Sequence, residues 1–285
     1  MSVNSVLIFG ANGMLGRYVT TVLTQSDYQV HPVTRHDLDI GLTDIKEWLD
    51  LIATWCRNYS IQAIINCAGI TNKRDVSDDT MFKVNTIFPL LVSRWCSLQH
   101  IRFYHITTDC VYTGSKGQYT IDDKHDSLDV YGLSKSMGEP TNQKQDDWTC
   151  VIRTSIIGEC FRAGSLLEWA KLNRGMNVLG FSNHYWSGVT CLRLAQELVT
   201  ILNKNFAPGL VVWVSSHQDK NYIDKYSLLQ EFNRVYQLDL KITAKDTENK
   251  CDRSLIGRDL GSIVEQIEEL YQFGREYSKE LHLVD

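Results

Sequence analysis

Tyr131 and Lys135 stand four residues apart in Tyr131-Gly132-Leu133-Ser134-Lys135, a spacing that puts two side chains on one helix face, one turn apart. A phenol with its ordinary pKa of about 10 gives or takes a proton poorly at neutral pH. An ammonium one turn away favours the phenolate and is expected to lower that pKa. Tyr131 would then protonate a carbonyl oxygen as hydride reaches its carbon, which is general acid catalysis. A Tyr–Lys pair alone is as readily an exposed ring beside a solvated charge. Two upstream runs give it meaning: Phe9-Gly10-Ala11-Asn12-Gly13-Met14-Leu15-Gly16 and Thr107-Thr108-Asp109.

Gly10, Gly13 and Gly16 follow the apolar run Val6-Leu7-Ile8-Phe9 and open a segment with Leu15, Tyr18, Val19, Val22 and Leu23 at helical spacing. Strand, tight turn and helix is the arrangement in which a backbone approaches a pyrophosphate seated on a helix N-terminus. Asn12, Met14 and Leu15 share that loop and are expected at the cofactor. The next strand ends in Val33-Thr34-Arg35-His36, with no acid before Asp37 to grip the ribose hydroxyls of NAD(H). Arg35 suits a 2′-phosphate, so NADP(H) is preferred and NAD(H) remains possible. Asp39 and Ile40 are expected at the adenine edge. Thr108 closes a strand, and in an open α/β sheet ligands bind beyond the carboxyl ends of the strands. Its hydroxyl is expected on the same substrate oxygen as Tyr131, with Lys135 also reaching the nicotinamide ribose. Asp109 orients Thr108, serves as a second acid or caps a turn; the residue types do not separate these roles.

The elements that must position these groups alternate. Strand-like runs at Gln29–Thr34, Ala63–Asn66, Arg102–Thr107 and Thr149–Thr154 are separated by helical patterns. One pattern carries Ile45, Trp48, Leu49 and Ile52; another carries Val84, Ile87, Phe88, Leu91, Val92 and Trp95, with Pro89 expected to kink or adjust it. Alternation of this kind predicts an α/β fold, a Rossmann-type doubly wound parallel sheet. Past Arg153 it weakens, leaving a strand at Leu210–Val214 and a helix at Tyr226–Phe232. Residues 1–153 are expected to be the cofactor-binding domain with the Tyr–Lys helix. Residues 154–285 are expected to be mainly a smaller substrate-binding lobe, parts of it returning to the main sheet.

Composition narrows the partners. The chain has 285 residues and a formal net charge of −5. No basic run is dense enough to track a phosphate backbone, so nucleic acid is not an expected partner. Eight scattered cysteines lack metal-ligand spacing, and no metal site is expected. They read as free thiols in a reducing compartment. The first residues carry no basic leader and no apolar run is long enough to span a bilayer, so a cytoplasmic protein without membrane contact is expected.

These residues resemble an extended short-chain dehydrogenase/reductase, and within it the dTDP-4-dehydrorhamnose reductase group of nucleotide-sugar reductases. That group shows Ser-Thr-Asp-Tyr-Val-Phe, then Tyr-Gly-x-x-Lys and Gly-Glu. Here stand Thr107-Thr108-Asp109-Cys110-Val111-Tyr112, the Tyr131–Lys135 run and Gly138-Glu139. Asn66-Cys67-Ala68-Gly69 is similar to the group's Asn-Ala-Ala segment beside the cofactor, and Arg153-Thr154-Ser155 to its Arg-Thr-Ser. The resemblance covers roughly residues 5–200. It implies NAD(P)H-dependent reduction of the 4-keto group of a nucleoside-diphosphate 4-keto-6-deoxyhexose in deoxysugar biosynthesis. By that implication Thr108, Tyr131 and Lys135 are catalytic, the glycines with Cys67, Ala68 and Gly69 hold the cofactor, and a homodimer forms through helices flanking the sheet.

Two departures concern the substrate. Cys110 stands where the group has a tyrosine. Asn183-His184-Tyr185-Trp186-Ser187-Gly188-Val189-Thr190 stands where it has Asp-x-x-Gly-x-Pro-Thr. Trp186 is expected to stack on a sugar, to cover the nicotinamide or to be a core tryptophan, and His184 to contact a hydroxyl or phosphate or to be satisfied within the protein. The alternatives are a UDP-2-acetamido 4-keto sugar, with reduction alone or with 3-epimerisation using His184 or Cys110 as the extra base, and a non-catalytic NADP-binding regulatory subunit.

Overall fold

The computed structural model describes residues 4–71, 76–140, 148–160, 164–204 and 207–282. Seven strands, β1 (Ser5–Phe9), β2 (Gln29–Val33), β3 (Ala63–Asn66), β4 (Arg102–Thr108), β5 (Thr149–Thr154), β6 (Gly209–Ser216) and β7 (Arg258–Ser262), form one sheet. Their order is β7-β6-β5-β4-β3-β1-β2. β1 pairs in parallel with β2 and β3, β3 with β4, and β6 with β7. The Rossmann-type α/β fold expected from the alternation is therefore present. β1, β3 and β5 are buried along their whole length and read as mainly apolar or β-branched runs, with Ser5, Asn66 and Arg153 as their polar members.

The helices that serve the site are α1 (Met14–Gln25), α2 (Ile45–Tyr59), α3 (Asp78–Phe82), α4 (Phe88–Gln99) and α5 (Val130–Met137). One core joins Leu7, Phe9, Ile64 and Phe103 of the strands to Trp48, Ile52, Phe88 and Val92 of the helices. Phe88 meets Phe9 edge-on at 5.0 Å and Trp48 at 5.2 Å. Each such ring removes enough apolar surface from water to contribute about 1.5–3 kcal/mol. The helix expected around Val84–Trp95 lies within a longer run. α3 passes into α4 through a π turn, Lys83–Ile87, which is separated from Pro89 by Phe88 alone. Proline has no N–H to give and its ring crowds the carbonyl four residues back, here that of Asn85, so a wider turn at this point relieves both.

The chain divides into two units. The first comprises Met1–Val111, Ser127–Arg153 and Ala195–Val211; the second comprises Tyr112–Asp126, Thr154–Leu194 and Val212–Asp285. Within the second, the strand His184–Trp186 lies between Ile223–Asp224 and Cys251–Asp252, and Asn177–Phe181 pairs in parallel with Lys241–Lys245. The helix read at Tyr226–Phe232 extends over Lys225–Tyr236. All eight cysteines are free; Cys56, Cys96, Cys150 and Cys191 are buried and the others partly exposed. Among the described residues no helix is long and apolar enough to cross a membrane.

Candidate active site

The turn after β1 is built so tightly that it admits only glycine at two positions. Gly10 has φ +73°, and a methyl group there would lie 2.7 Å from the Ala68 nitrogen. At Gly16 the same group would lie 2.1 Å from the Gly10 carbonyl oxygen, so α1 rests directly on the turn. Gly13 caps α1 in extended backbone, with no side chain bonding the first N–H groups and no acid in the first turn. Those donors and the positive end of the helix are left for an anion, which fits a dinucleotide diphosphate. Asn12 and Gly13 are exposed and Met14 half-buried, whereas Leu15 belongs to the core, so a ligand meets Leu15 only through its backbone.

Arg35 and His36 are exposed just after β2. Asp37 accepts from the Thr34 N–H and hydroxyl, each at 2.8 Å, and these bonds hold its carboxyl below the usual carboxylate range. The nearest acid is thus committed to its own turn. Asp39 likewise accepts from the Gly41 N–H at 2.9 Å, and Ile40 is buried in the core.

The loop after β3 lies backbone against backbone on Gly10. The Cys67 N–H donates to the Phe9 carbonyl at 3.0 Å, and Asn66 Oδ1 accepts from the Ala68 N–H at 3.0 Å. Asn66 Nδ2 meets His105 Nδ1 at 3.1 Å, which makes that ring nitrogen the acceptor and leaves the proton on Nε2. Burial pushes the His105 pKa well down, so the ring is neutral.

α5 brings Tyr131 and Lys135 to this edge, and two more glycines let it approach. A methyl group at Gly132 would fall 1.9 Å from Ser127 Oγ and 2.4 Å from the Cys110 carbonyl oxygen; one at Gly138 would fall 1.9 Å from the Asn85 carbonyl oxygen. Asp129 caps the helix by accepting from the Gly132 N–H at 2.9 Å. The Thr108 hydroxyl acts on the Tyr131 phenol, favouring its ionised form. Thr108 Oγ1 donates to Asp109 Oδ1 and accepts from the Cys110 N–H, each at 3.1 Å, and Cys110 Sγ lies 3.6 Å from Asp109 Oδ1. Lys135 is buried, with Nζ donating to the Ile106 carbonyl at 3.0 Å. Thr108, Asp109, Cys110 and Tyr131 therefore form one cluster, with Lys135 one helical turn beyond Tyr131.

A model of the RmlD substrate binding domain matches residues 4–163, more than half of the chain. The chain belongs to this family. It is 27% identical over 202 residues to a dTDP-4-keto-6-deoxy-D-glucose reductase of Streptomyces niveus, covering 69% of this chain and 68% of the relative. It is 24% identical over 254 residues to the spore coat polysaccharide biosynthesis protein SpsK of Bacillus subtilis, covering 87% and 86%. A crystal structure of dTDP-4-dehydrorhamnose reductase from Bacillus anthracis in complex with NADP superposes with a TM-score of 0.79 at 17% identity, covering 94% of this chain and 99% of that one. At that identity the superposition speaks for the fold.

In this member of the RmlD family the electrostatics differ from the sequence expectation. Burial raises the Tyr131 pKa, and Cys110, Asp109 and Asp129 raise it further, against a lowering by the Thr108 hydroxyl. Lys135 is not among the groups acting on it; burial instead lowers Lys135 itself to about 8, against an upward push from Glu139 and Cys67. The spacing argument placed both side chains on one face but could not weigh desolvation or the nearby carboxylates. Tyr131 is therefore held as the phenol, the form that donates a proton.

Three groups in the site were not singled out from the sequence. Asn85, on the π turn, accepts from the Ile70 N–H at 2.9 Å and donates to the Ile70 carbonyl at 2.8 Å and Ser134 Oγ at 3.0 Å, tying α5 to the loop after β3. His105 orients Asn66. Glu139 and Arg153 form a two-pronged buried ion pair, Nη2–Oε2 2.6 Å and Nε–Oε1 3.2 Å. Both of its members stood inside the family resemblance, as Gly138-Glu139 and Arg153-Thr154-Ser155, without being joined. His184 and Trp186 belong to the second unit. His184 Nε2 is bonded to Thr247 Oγ1 at 2.8 Å, and Trp186 is buried, its ring so close to Gly188 that a methyl group there would lie 2.3 Å from it. Both have partners within their own unit.

Proposed function

We propose that this chain is an NADPH-dependent reductase of the 4-keto group of a nucleoside-diphosphate 4-keto-6-deoxyhexose, acting in deoxysugar biosynthesis. The observation that carries the reading is the Tyr131 phenol, kept protonated beside the Thr108–Asp109–Cys110 cluster, with Lys135 buried one turn away. The names of its relatives, a dTDP-4-keto-6-deoxy-D-glucose reductase and a polysaccharide biosynthesis protein, support the same substrate class. The glycine turn and the start of α1 would hold the diphosphate, Arg35 the 2′-phosphate, and Cys67-Ala68-Gly69 with Lys135 the nicotinamide ribose. NADPH, when bound, supplies the hydride.

The protein supplies the proton and the geometry. Thr108, whose hydroxyl donates to Asp109 and accepts from the Cys110 N–H, would turn its proton from Asp109 to the substrate carbonyl oxygen beside Tyr131. As hydride adds to the carbon, the phenolic proton passes to the oxygen, giving the alcohol and a tyrosinate. Solvent then returns the proton to Tyr131, while Lys135 would hold the nicotinamide ribose in place. We assign the sugar and nucleotide to the second unit. A homodimer through α4 and α5, on which Leu98, Leu133 and Met137 are exposed, belongs to the same proposal and is tested by light scattering.

One observation favours a second reading, in which 3-epimerisation accompanies reduction. The Cys110 thiol sits in the reacting cluster, 3.6 Å from Asp109 Oδ1, where a base could remove the proton beside the keto group. Deuterium uptake at C3 from D₂O would show it. The primary reading is tested by following NADPH absorbance with dTDP- and UDP-linked 4-keto-6-deoxy sugars. Turnover with one of them supports it; NADPH binding without oxidation across the set overturns it.

A further inference from the structure

We propose that Arg153 and Glu139 are positioning residues: Arg153 grips the Glu139 carboxylate and thereby fixes the Lys135 ammonium where it serves the cofactor ribose. This rests on the reading of Tyr131 and Lys135 as the reacting pair. The ion pair is two-pronged, and its side chains are 2% and 1% exposed. A buried ion pair is seldom better for stability than apolar side chains of the same volume, so stability alone is a weak account of it. Its placement is more telling. Glu139 lies four residues beyond Lys135, just past the Gly138 cap of α5, and Arg153 comes from β5.

The groups facing Lys135 come from each neighbouring element. Glu139 follows α5, Cys67 follows β3, and His105 and the Ile106 carbonyl belong to β4. Cys67 is pushed up to about 12 by burial and remains a thiol, and His105 is neutral. Glu139 is therefore the anion that acts on the Lys135 ammonium. Held by Arg153, it favours the charged amine from a fixed distance. Without Arg153, the Glu139 carboxylate would lose this two-pronged hold and would draw Nζ away from the Ile106 carbonyl. Without the Glu139 charge, burial would push Lys135 toward the neutral amine, and the Arg153 guanidinium, no longer offset by Glu139, would push it further.

The test is the pH profile of kcat/KM for wild type, Glu139→Gln, Arg153→Met and the double variant, with the best substrate from the panel. The alkaline limb should move to lower pH in Glu139→Gln by about one pH unit, roughly fivefold in activity at pH 8. It should move to higher pH in Arg153→Met, with KM for NADPH raised. The double variant, which removes both members of the ion pair, should fold and place its limb between wild type and Glu139→Gln. A purely structural pair would lower kcat/KM by one factor at every pH and leave the limb where it is. An unmoved limb in the double variant overturns the proposal even if either single variant fails to fold. Wild-type protein without turnover on any substrate would instead overturn the reductase reading.

Discussion

Replacing Gly16 by alanine should weaken NADPH binding and lower stability, although alanine is the better helix former. In an open helix the change would add about 1 kcal/mol of stability. Here the new methyl group would sit 2.1 Å from the Gly10 carbonyl oxygen and 2.8 Å from the Ala11 Cα, both backbone atoms. Relief requires the start of α1 to retreat by roughly 1 Å, since a close-packed interior has no slack to absorb the contact. Overpacking of this kind costs about 1–3 kcal/mol, so the net effect on stability is a loss of roughly 0–2 kcal/mol. A retreat of that size takes one α1 N–H out of hydrogen-bond range of a bound phosphate. Each such bond to a charged group is worth about 1.5–3 kcal/mol, or roughly 10–150-fold in Kd. NADPH fluorescence titration and urea unfolding of the two proteins measure both quantities. A Gly16→Ala protein that is more stable than wild type and binds NADPH equally well would refute the reasoning.

Lys135→Met should stabilise the protein without cofactor at pH 7. A lysine lowered from 10.5 to about 8 means that the unfolded chain binds more protons between those values, so wild-type stability rises with pH across that window. The variant lacks that slope; its advantage of up to about 3 kcal/mol at pH 7 should fade by pH 10.5, which urea titrations along a pH series would show. Asn85→Ala strands the Ile70 N–H and carbonyl and should cost about 2–4 kcal/mol in the same assay. Arg35→Glu should raise the Kd for NADPH by about tenfold or more and leave that for NADH nearly unchanged, measured by fluorescence titration.

What was legible in the sequence is what short-range chemistry encodes. β1, the glycine turn and α1 occupy one continuous stretch, and Gly13 and Gly16 answer to the Gly10 carbonyl a few residues away, so the motif could be read without the fold, although Gly10 itself also answers to Ala68 on the next strand's loop. Tyr131 and Lys135 were legible because four residues make one helical turn. The acidity of Tyr131 was not, since its sign depends on burial and on Asp109, which only the folded chain brings near. Glu139 and Arg153 meet across 14 positions and two elements, and no periodicity connects them. Asn85 acts through a π turn that Pro89 signalled only as a disturbance. His184 and Trp186 looked chemically suggestive, yet each has a partner, Thr247 or Gly188, that lies outside any local motif or serves as plain backbone packing.

The most direct test of the central claim is transfer of deuterium from 4-deuterated NADPH to the 4-keto-6-deoxy sugar, followed by NMR in a single turnover with wild type and Tyr131→Phe. Deuterium should appear at C4 of the sugar, with the rate about 10²–10⁴-fold lower in the variant and NADPH affinity unchanged, as loss of a general acid requires. Label that stays in the cofactor with wild type, or transfer at the same rate without the Tyr131 hydroxyl, would contradict the account.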